Sequence, residues 1–156
     1  MTIVIVDDSH VNLIVLKNLL NRDSNSRVQT FASSIAARDH LACNAAEMVI
    51  VDWDMPDLNG IEFIEEVRRL KHHNDTPIVM VTSSSADTVR KEAMAAGVTD
   101  FLSKPFDAGE FRMRIRNLLQ LTARSATATT THPTTTPNVG FGQTQMKRSL
   151  RPLGQT

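Results

Sequence analysis

The chain has 156 residues, 17 of them Lys or Arg and 17 Asp or Glu, with 41% hydrophobic residues and a single cysteine. That length and composition suit one ordinary globular domain with some chain to spare. No apolar run approaches the roughly 20 residues of a membrane span, and the apolar opening meets Asp7 and Asp8 too soon for a secretory signal, so the reading is cytoplasmic, with no membrane association. One cysteine excludes a disulfide framework and a thiolate metal site, which leaves Cys43 as a small packing residue.

Zero net charge conceals an asymmetry. Residues 1–110 hold all 17 acidic residues and 10 basic ones, a balance of −7, whereas residues 111–156 hold 7 basic residues and no acid, a balance of +7. The text also changes after Arg124: SATATTTHPTTTPN is Thr-rich, punctuated by proline, and has no apolar period with which to bury a core. A folded domain over 2–123 and a basic, disordered tail over 124–156 are therefore expected.

Within the domain, short β-branched runs alternate with helical ones. Residues 2–6 read as a strand and 11–20 (VNLIVLKNLL) as a helix with a broad apolar face; 27–31 follow as a strand, 35–44 as a weaker helix and 48–51 as an apolar strand ending at Asp52. Pro56 and Asn59-Gly60 mark a loop, after which Ile61, Ile64, Val67 and Leu70 recur at helical spacing until Pro77 stops the element. Residues 78–81 form the fourth strand. Val89, Ala93 and Ala96 line a helix that Gly97 closes in a left-handed cap, residues 100–102 make a fifth strand, and Asp107 with Glu110 forms a capping box for a last helix carrying Phe111, Ile115, Leu118 and Leu119. Next to a helix end, His72 and His73 read as solvated.

This is a (βα)5 chain. Strands apolar throughout imply a parallel sheet with helices on both faces, a doubly wound α/β fold whose ligand site lies at the carboxyl ends of the strands. The residues at those ends are Asp7 and Asp8 after the first strand, Asp52 after the third, Thr82 after the fourth and Lys104-Pro105 after the fifth. Carboxylates a few ångströms apart repel by roughly 4 kcal/mol per pair at an effective dielectric near 20, so such a site demands a cation or a raised pKa. The candidate ligands are all oxygens, which selects Mg²⁺. Carboxylate, divalent metal, lysine and hydroxyl around one cavity suit phosphoryl transfer, with Asp52 the best-placed nucleophile.

The set DD (Asp7-Asp8), VDWDMPDLNG (Asp52, Met55-Pro56, Asn59-Gly60), VTSSS (Thr82) and AGVTDFLSKPF (Gly97, Phe101, Lys104-Pro105) resembles the receiver domain of bacterial two-component response regulators over about residues 2–121. The resemblance implies flavodoxin-like strand order 2-1-3-4-5. It implies that Asp52 takes a phosphoryl group from a phosphohistidine on a sensor histidine kinase or phosphotransfer protein, and that Asp7, Asp8, Asp52 and the backbone carbonyl of Asp54 hold Mg²⁺. Lys104 would contact the phosphoryl oxygens, the bond before Pro105 would be cis, Thr82 and Phe101 would switch, and Asp54 and Ser84 would tune the lifetime of the phosphoaspartate. Such a protein is a signalling phosphoacceptor rather than an enzyme. Trp53, beside the nucleophile, would report binding by fluorescence.

Two other readings compete. A haloacid-dehalogenase-like phosphatase also pairs a DxD aspartate nucleophile with Mg²⁺ and lysine, but its DxD follows the first strand, its paired acids come late, and this chain has little room for a cap domain. The other is a receiver-like binding module that is not phosphorylated. In receivers the fourth helix, fifth strand and fifth helix present the face that docks a partner or dimerises; here Arg112 and Arg116 make it basic, fitting an acidic downstream protein or a homodimer formed on phosphorylation, or they simply balance the acidic body. Seven basic residues over 46 positions are too sparse for a DNA-binding arm. The segment 106–124, with RIRNLLQL, is weakly similar to the exit helix of receivers linked to HD-GYP outputs. The tail is long enough to bring Lys147, Arg148 and Arg151 to the acidic body in a weak, salt-sensitive contact, or else is inert.

Overall fold

In the computed structural model the described residues are 1–21, 26–83 and 87–128. They form β1 (Thr2–Val6), α1 (His10–Asn21), β2 (Arg27–Phe31), α2 (Ser34–Cys43), β3 (Met48–Asp52), α3 (Gly60–Arg69), a 3-10 turn (Lys71–His73), β4 (Ile78–Thr82), α4 (Asp87–Ala96), β5 (Asp100–Ser103) and α5 (Ala108–Ala128). The strands pair in parallel in the order β2-β1-β3-β4-β5, as expected.

The period of two along each strand divides the core into two layers. Ile3 and Ile5, Met48 and Ile50, and Val79 and Val81 pack with Leu13, Leu16 and Leu20 of α1 and with Phe111 and Ile115 of α5. The alternate residues Val4 and Val6, Val49 and Val51, and Ile78 and Met80 pack with α2, α3 and α4 through Ala37, Leu41, Phe63, Ile64, Val67 and Ala93. Both faces of the central strands are thus covered, and β3 and β4 are buried along their whole length. Asp7 and Asp52 continue the rows of Ile3–Ile5 and Met48–Ile50. They stand where the α1/α5 layer ends, at the carboxyl edge.

Local signals set the helix ends. Asn59 Oδ1 accepts from the Ile61 and Glu62 amides at 2.9 and 3.1 Å, while the Glu62 carboxylate accepts from the Asn59 amide at 3.0 Å, a reciprocal capping box where a loop alone was expected. Gly97 closes α4 at φ +97°, the expected left-handed cap. At α5 the expected box is only half made: Asp107 Oδ1 accepts from the Gly109 and Glu110 amides, but the Glu110 carboxylate turns to Arg114 Nε at 3.0 Å. Arg114 is also held by Asp100, and this second ion pair fixes the guanidinium within reach of Glu110. Helix α5 runs to Ala128, five residues past the expected end of the domain; residues 129–156 lie outside those described.

Two expectations are corrected at the other edge of the sheet. Cys43 is exposed rather than packed, because it falls on the solvent side at the end of α2. His73 is wholly buried rather than solvated: Nδ1 is 3.0 Å from Thr76 Oγ1, and Nε2 is 3.1 Å from the carbonyls of Leu41 and of Asn44. The 3-10 turn after α3 rolls this ring inward beneath α2, while its neighbour His72 stays exposed and reaches the Leu41 carbonyl at 2.8 Å. Arg68 clasps the same region, donating to the carbonyls of His73, Thr76 and Gly97 at 2.7–3.1 Å. Burial holds the His73 imidazole below its ordinary pKa, partly opposed by its carbonyl partners. A depressed histidine contributes stability at pH values above the ordinary 6.5 and loses it as pH falls through the folded-state value. Urea unfolding should therefore show a drop in stability between pH 7.5 and 5.5 that is smaller in His73→Gln.

Candidate functional site

The carboxyl edge of β1 and β3 brings the predicted acids together. Carboxylate oxygens of Asp7, Asp8 and Asp52 lie within 4.8 Å of one another. Asp7 is 1% and Asp52 7% exposed, whereas Asp8 faces solvent at the mouth. Each buried carboxylate is held by its own local turn: Asp7 Oδ1 accepts from the Ser9 amide at 2.9 Å, and Asp52 Oδ2 from the Asp54 amide at 3.1 Å. Strand pairing carries this precision across the sheet, since the Trp53 amide donates to the Val81 carbonyl at 2.9 Å and the Lys104 amide to the Thr82 carbonyl at 2.8 Å.

Lys104 is the cation of the site. Its Nζ lies 2.6 Å from Asp52 Oδ1 and 3.3 Å from Asp7 Oδ2. The Lys104-Pro105 peptide is cis, as expected. Burial raises the pKa of Asp52, and the Asp7 charge adds to the rise; the Lys104 hydrogen bond and charge, with the Asp54 amide, pull it back without cancelling it. For Lys104, burial alone would depress the ammonium, but the hydrogen bond and charge of Asp52, followed by those of Asp7, outweigh it and raise its pKa.

Thr82 is buried at the end of β4 and Phe101 is half-buried on β5, paired in register with Met80. The Arg90 guanidinium stands 5.5 Å from the centre of the Phe101 ring. Trp53 is half-buried directly after Asp52, and Ser84 falls outside the described residues.

Two contributors were given no role in the site from sequence, although Asn59-Gly60 was read as a loop and as part of the receiver-like motif. Asn12 Nδ2 donates to both oxygens of Asp7 at 3.1 and 3.0 Å, which leaves Asp7 one geometry; the signal was an amide one turn into the helix that follows the acid pair. Gly60 is the other. A Cβ there would stand 2.6 Å from the Asp52 carbonyl oxygen and 2.9 Å from Trp53 Cα, so only glycine lets α3 begin against the end of β3, where its amide donates to the Trp53 carbonyl at 2.8 Å.

The family model of the response regulator receiver domain matches residues 3–116. The chain belongs to that family. It is a receiver of the two-component phosphorelay class, and the phosphatase and binding-module readings are not favoured. It is 32% identical over 120 residues to a chemotaxis protein CheY homolog of Campylobacter jejuni, covering 76% of this chain and 92% of that protein. It is 34% identical over 126 residues to the cyclic di-GMP phosphodiesterase response regulator RpfG of Xanthomonas campestris pv. campestris, covering 80% of this chain but 33% of RpfG; the chain thus spans about a third of RpfG's length. RpfG gives the weak exit-helix resemblance a counterpart. Among solved structures, the receiver domain of the sensor histidine kinase PA1611 from Pseudomonas aeruginosa PAO1 superposes with a TM-score of 0.69 at 26% identity, covering 76% of this chain and 97% of that one, and has a magnesium ion coordinated in its active site cleft. Receiver domains work with histidine kinases or phosphotransfer proteins, and the chain is 30% identical over 119 residues to the signal transduction histidine-protein kinase BarA of Escherichia coli, covering 76% of this chain and 12% of BarA. No helix among the described residues is long and apolar enough to cross a membrane.

The charge balance has a measurable consequence. Replacing Lys104 by Met leaves Asp7 and Asp52 facing each other without their cation. Urea unfolding in a chelator should show a loss of about 2 kcal/mol at pH 7.5, shrinking at pH 5 because protonating a carboxylate then relieves the repulsion.

Proposed function

We propose that Asp52 accepts a phosphoryl group from the phosphohistidine of a sensor kinase or phosphotransfer protein, acting as a signalling phosphoacceptor in the cytoplasm and not as a turnover enzyme. The observation that carries this reading is the aspartate at the end of a central strand, with one oxygen held by a backbone amide and the other by a lysine. In the transfer, an Asp52 carboxylate oxygen attacks phosphorus, the O–P bond forms, the N–P bond to the donor imidazole breaks, and the imidazole leaves with the electron pair. The Asp54 amide keeps the carboxylate oriented. Lys104 Nζ, already at the Asp52 oxygen, would exchange part of that hydrogen bond for the incoming phosphoryl oxygens. The Thr82 hydroxyl would then meet the new phosphate and Phe101 would follow, passing the change to the face made by α4, β5 and α5. An acidic downstream protein or a second copy of the chain would read that face.

The donor set fits magnesium. Three carboxylates this close together, with no nitrogen or sulfur donor among them, suit a small hard cation of this kind. Asp7, Asp8 and Asp52, with the Asp54 carbonyl, would hold it. Magnesium, when bound, neutralises these carboxylates and offsets the charge of the transferred phosphoryl oxygens. Asp52 must be ionised to attack; burial raises its pKa in the metal-free site, and a bound cation would oppose that rise and favour the carboxylate.

Intact mass after incubation with Mg²⁺ and acetyl phosphate tests this. One added phosphoryl group is expected that requires Mg²⁺, is absent in Asp52→Asn and is cleaved by hydroxylamine. Steady phosphate release from small esters without an adduct would favour a phosphatase instead, and inertness on both counts a binding module.

A further inference from the structure

Helix α1 sets an amide against the acidic edge. Asn12 is half-buried near the start of the helix, and its neighbours Leu13 and Leu16 are sunk in the core, so the side chain reaches Asp7 from a fixed backbone. Its Nδ2 lies 3.1 Å from Asp7 Oδ1 and 3.0 Å from Oδ2. A donor equidistant from both oxygens and hydrogen-bonded to each occupies the notch between them, which is where a cation sits when one carboxylate chelates it with both oxygens. The nitrogen end of the amide faces the carboxylate because only that end carries hydrogens to donate.

Each Asp7 oxygen has a second donor as well, the Ser9 amide at 2.9 Å on Oδ1 and Lys104 Nζ at 3.3 Å on Oδ2. Asp52 is divided in a similar way, with Oδ1 held by Lys104 at 2.6 Å and Oδ2 by the Asp54 amide at 3.1 Å. The two hard divalent cations that favour oxygen ask different things of a carboxylate. Mg²⁺ demands near-octahedral order and takes single oxygens, whereas Ca²⁺ gathers roughly 6–8 oxygens in a looser shell and is often chelated by both oxygens of one carboxylate. A cluster of carboxylates alone does not choose between them.

We infer that Asn12 is a positioning residue that sets the metal specificity of the site: by filling the chelating notch of Asp7 it confines this buried acid to one oxygen per cation, and so favours Mg²⁺ over Ca²⁺. The inference rests on the reading of the acidic edge as a magnesium site and adds the device by which that site refuses the larger cation. Without the amide the notch opens, and Asp7 offers a second oxygen that Ca²⁺ can use and octahedral Mg²⁺ does not.

The single tryptophan of the chain, Trp53, directly follows Asp52 and reads the site. The full chain in metal-free buffer is titrated separately with MgCl₂ and CaCl₂ at constant ionic strength, and binding is followed by Trp53 fluorescence and, independently, by the rise in melting temperature. Wild type should bind Mg²⁺ more tightly than Ca²⁺. In Asn12→Ala the ratio of the Ca²⁺ to the Mg²⁺ dissociation constant should fall by about tenfold, the low end of what hydrogen-bond partners of metal ligands contribute. Asn12→Ser, too short to reach Asp7, should move the ratio in the same direction. Asp8→Asn, which removes a carboxylate but keeps the Asn12–Asp7 pair, should weaken both ions without shifting the ratio toward Ca²⁺. An unchanged ratio in both Asn12 variants would overturn the inference and leave the magnesium reading standing, as would a wild type that prefers Ca²⁺. A wild type that binds neither ion would overturn both.

Discussion

Two carboxylates in a mostly buried edge of a parallel sheet repel each other, and the fold holds them together because one lysine stands between them. Asp7 and Asp52, with oxygens within 4.8 Å of one another, cost about 3.5 kcal/mol at an effective dielectric of 20. Lys104 Nζ, 2.6 Å from Asp52 and 3.3 Å from Asp7, offsets that cost. Its position depends in turn on the hydrogen bond from its own amide to Thr82. Removing any one of these strand ends would leave the others without a partner at the distance their charge requires. The residual strain is visible in Asp52, whose pKa stays raised even with the lysine in place. A site in that state is ready for a further cation and for an electrophile.

The sheet and its order were legible because two independent signals agreed. Apolar runs of period-free character, such as 48–51 and 78–81, can be satisfied only by burial on both faces, and β3 and β4 are buried throughout. The site was legible for a related reason: in a parallel sheet every strand ends at the same edge, so residues far apart in the chain, Asp7, Asp52 and Lys104, are brought together by topology alone. What escaped was set by tertiary contact. Nothing local distinguishes His73 from His72, yet the 3-10 turn buries one and exposes the other. Asn12 stands close in sequence to Asp7 and Gly60 lies within the quoted motif, but what each does depends on its distance to the strand end beside it, and the half-made box at Asp107 reflects a competing ion pair with Arg114.

The two edges of the sheet divide the labour of the domain. The carboxyl edge concentrates charge under local strain, whereas the opposite edge is knitted by Arg68, whose guanidinium ties α3, the 3-10 turn and the end of α4 through three carbonyls.

The central claim is that this acidic edge is one cation short of neutrality. The most direct test is calorimetric unfolding of the full chain at pH 7.5 as a function of MgCl₂, with ionic strength held constant by KCl. A binding site present only in the folded state raises the melting temperature progressively with metal concentration, and Asp7→Asn should flatten that rise. A melting temperature that ignores Mg²⁺ in the wild type, or that rises equally in Asp7→Asn, would contradict the account.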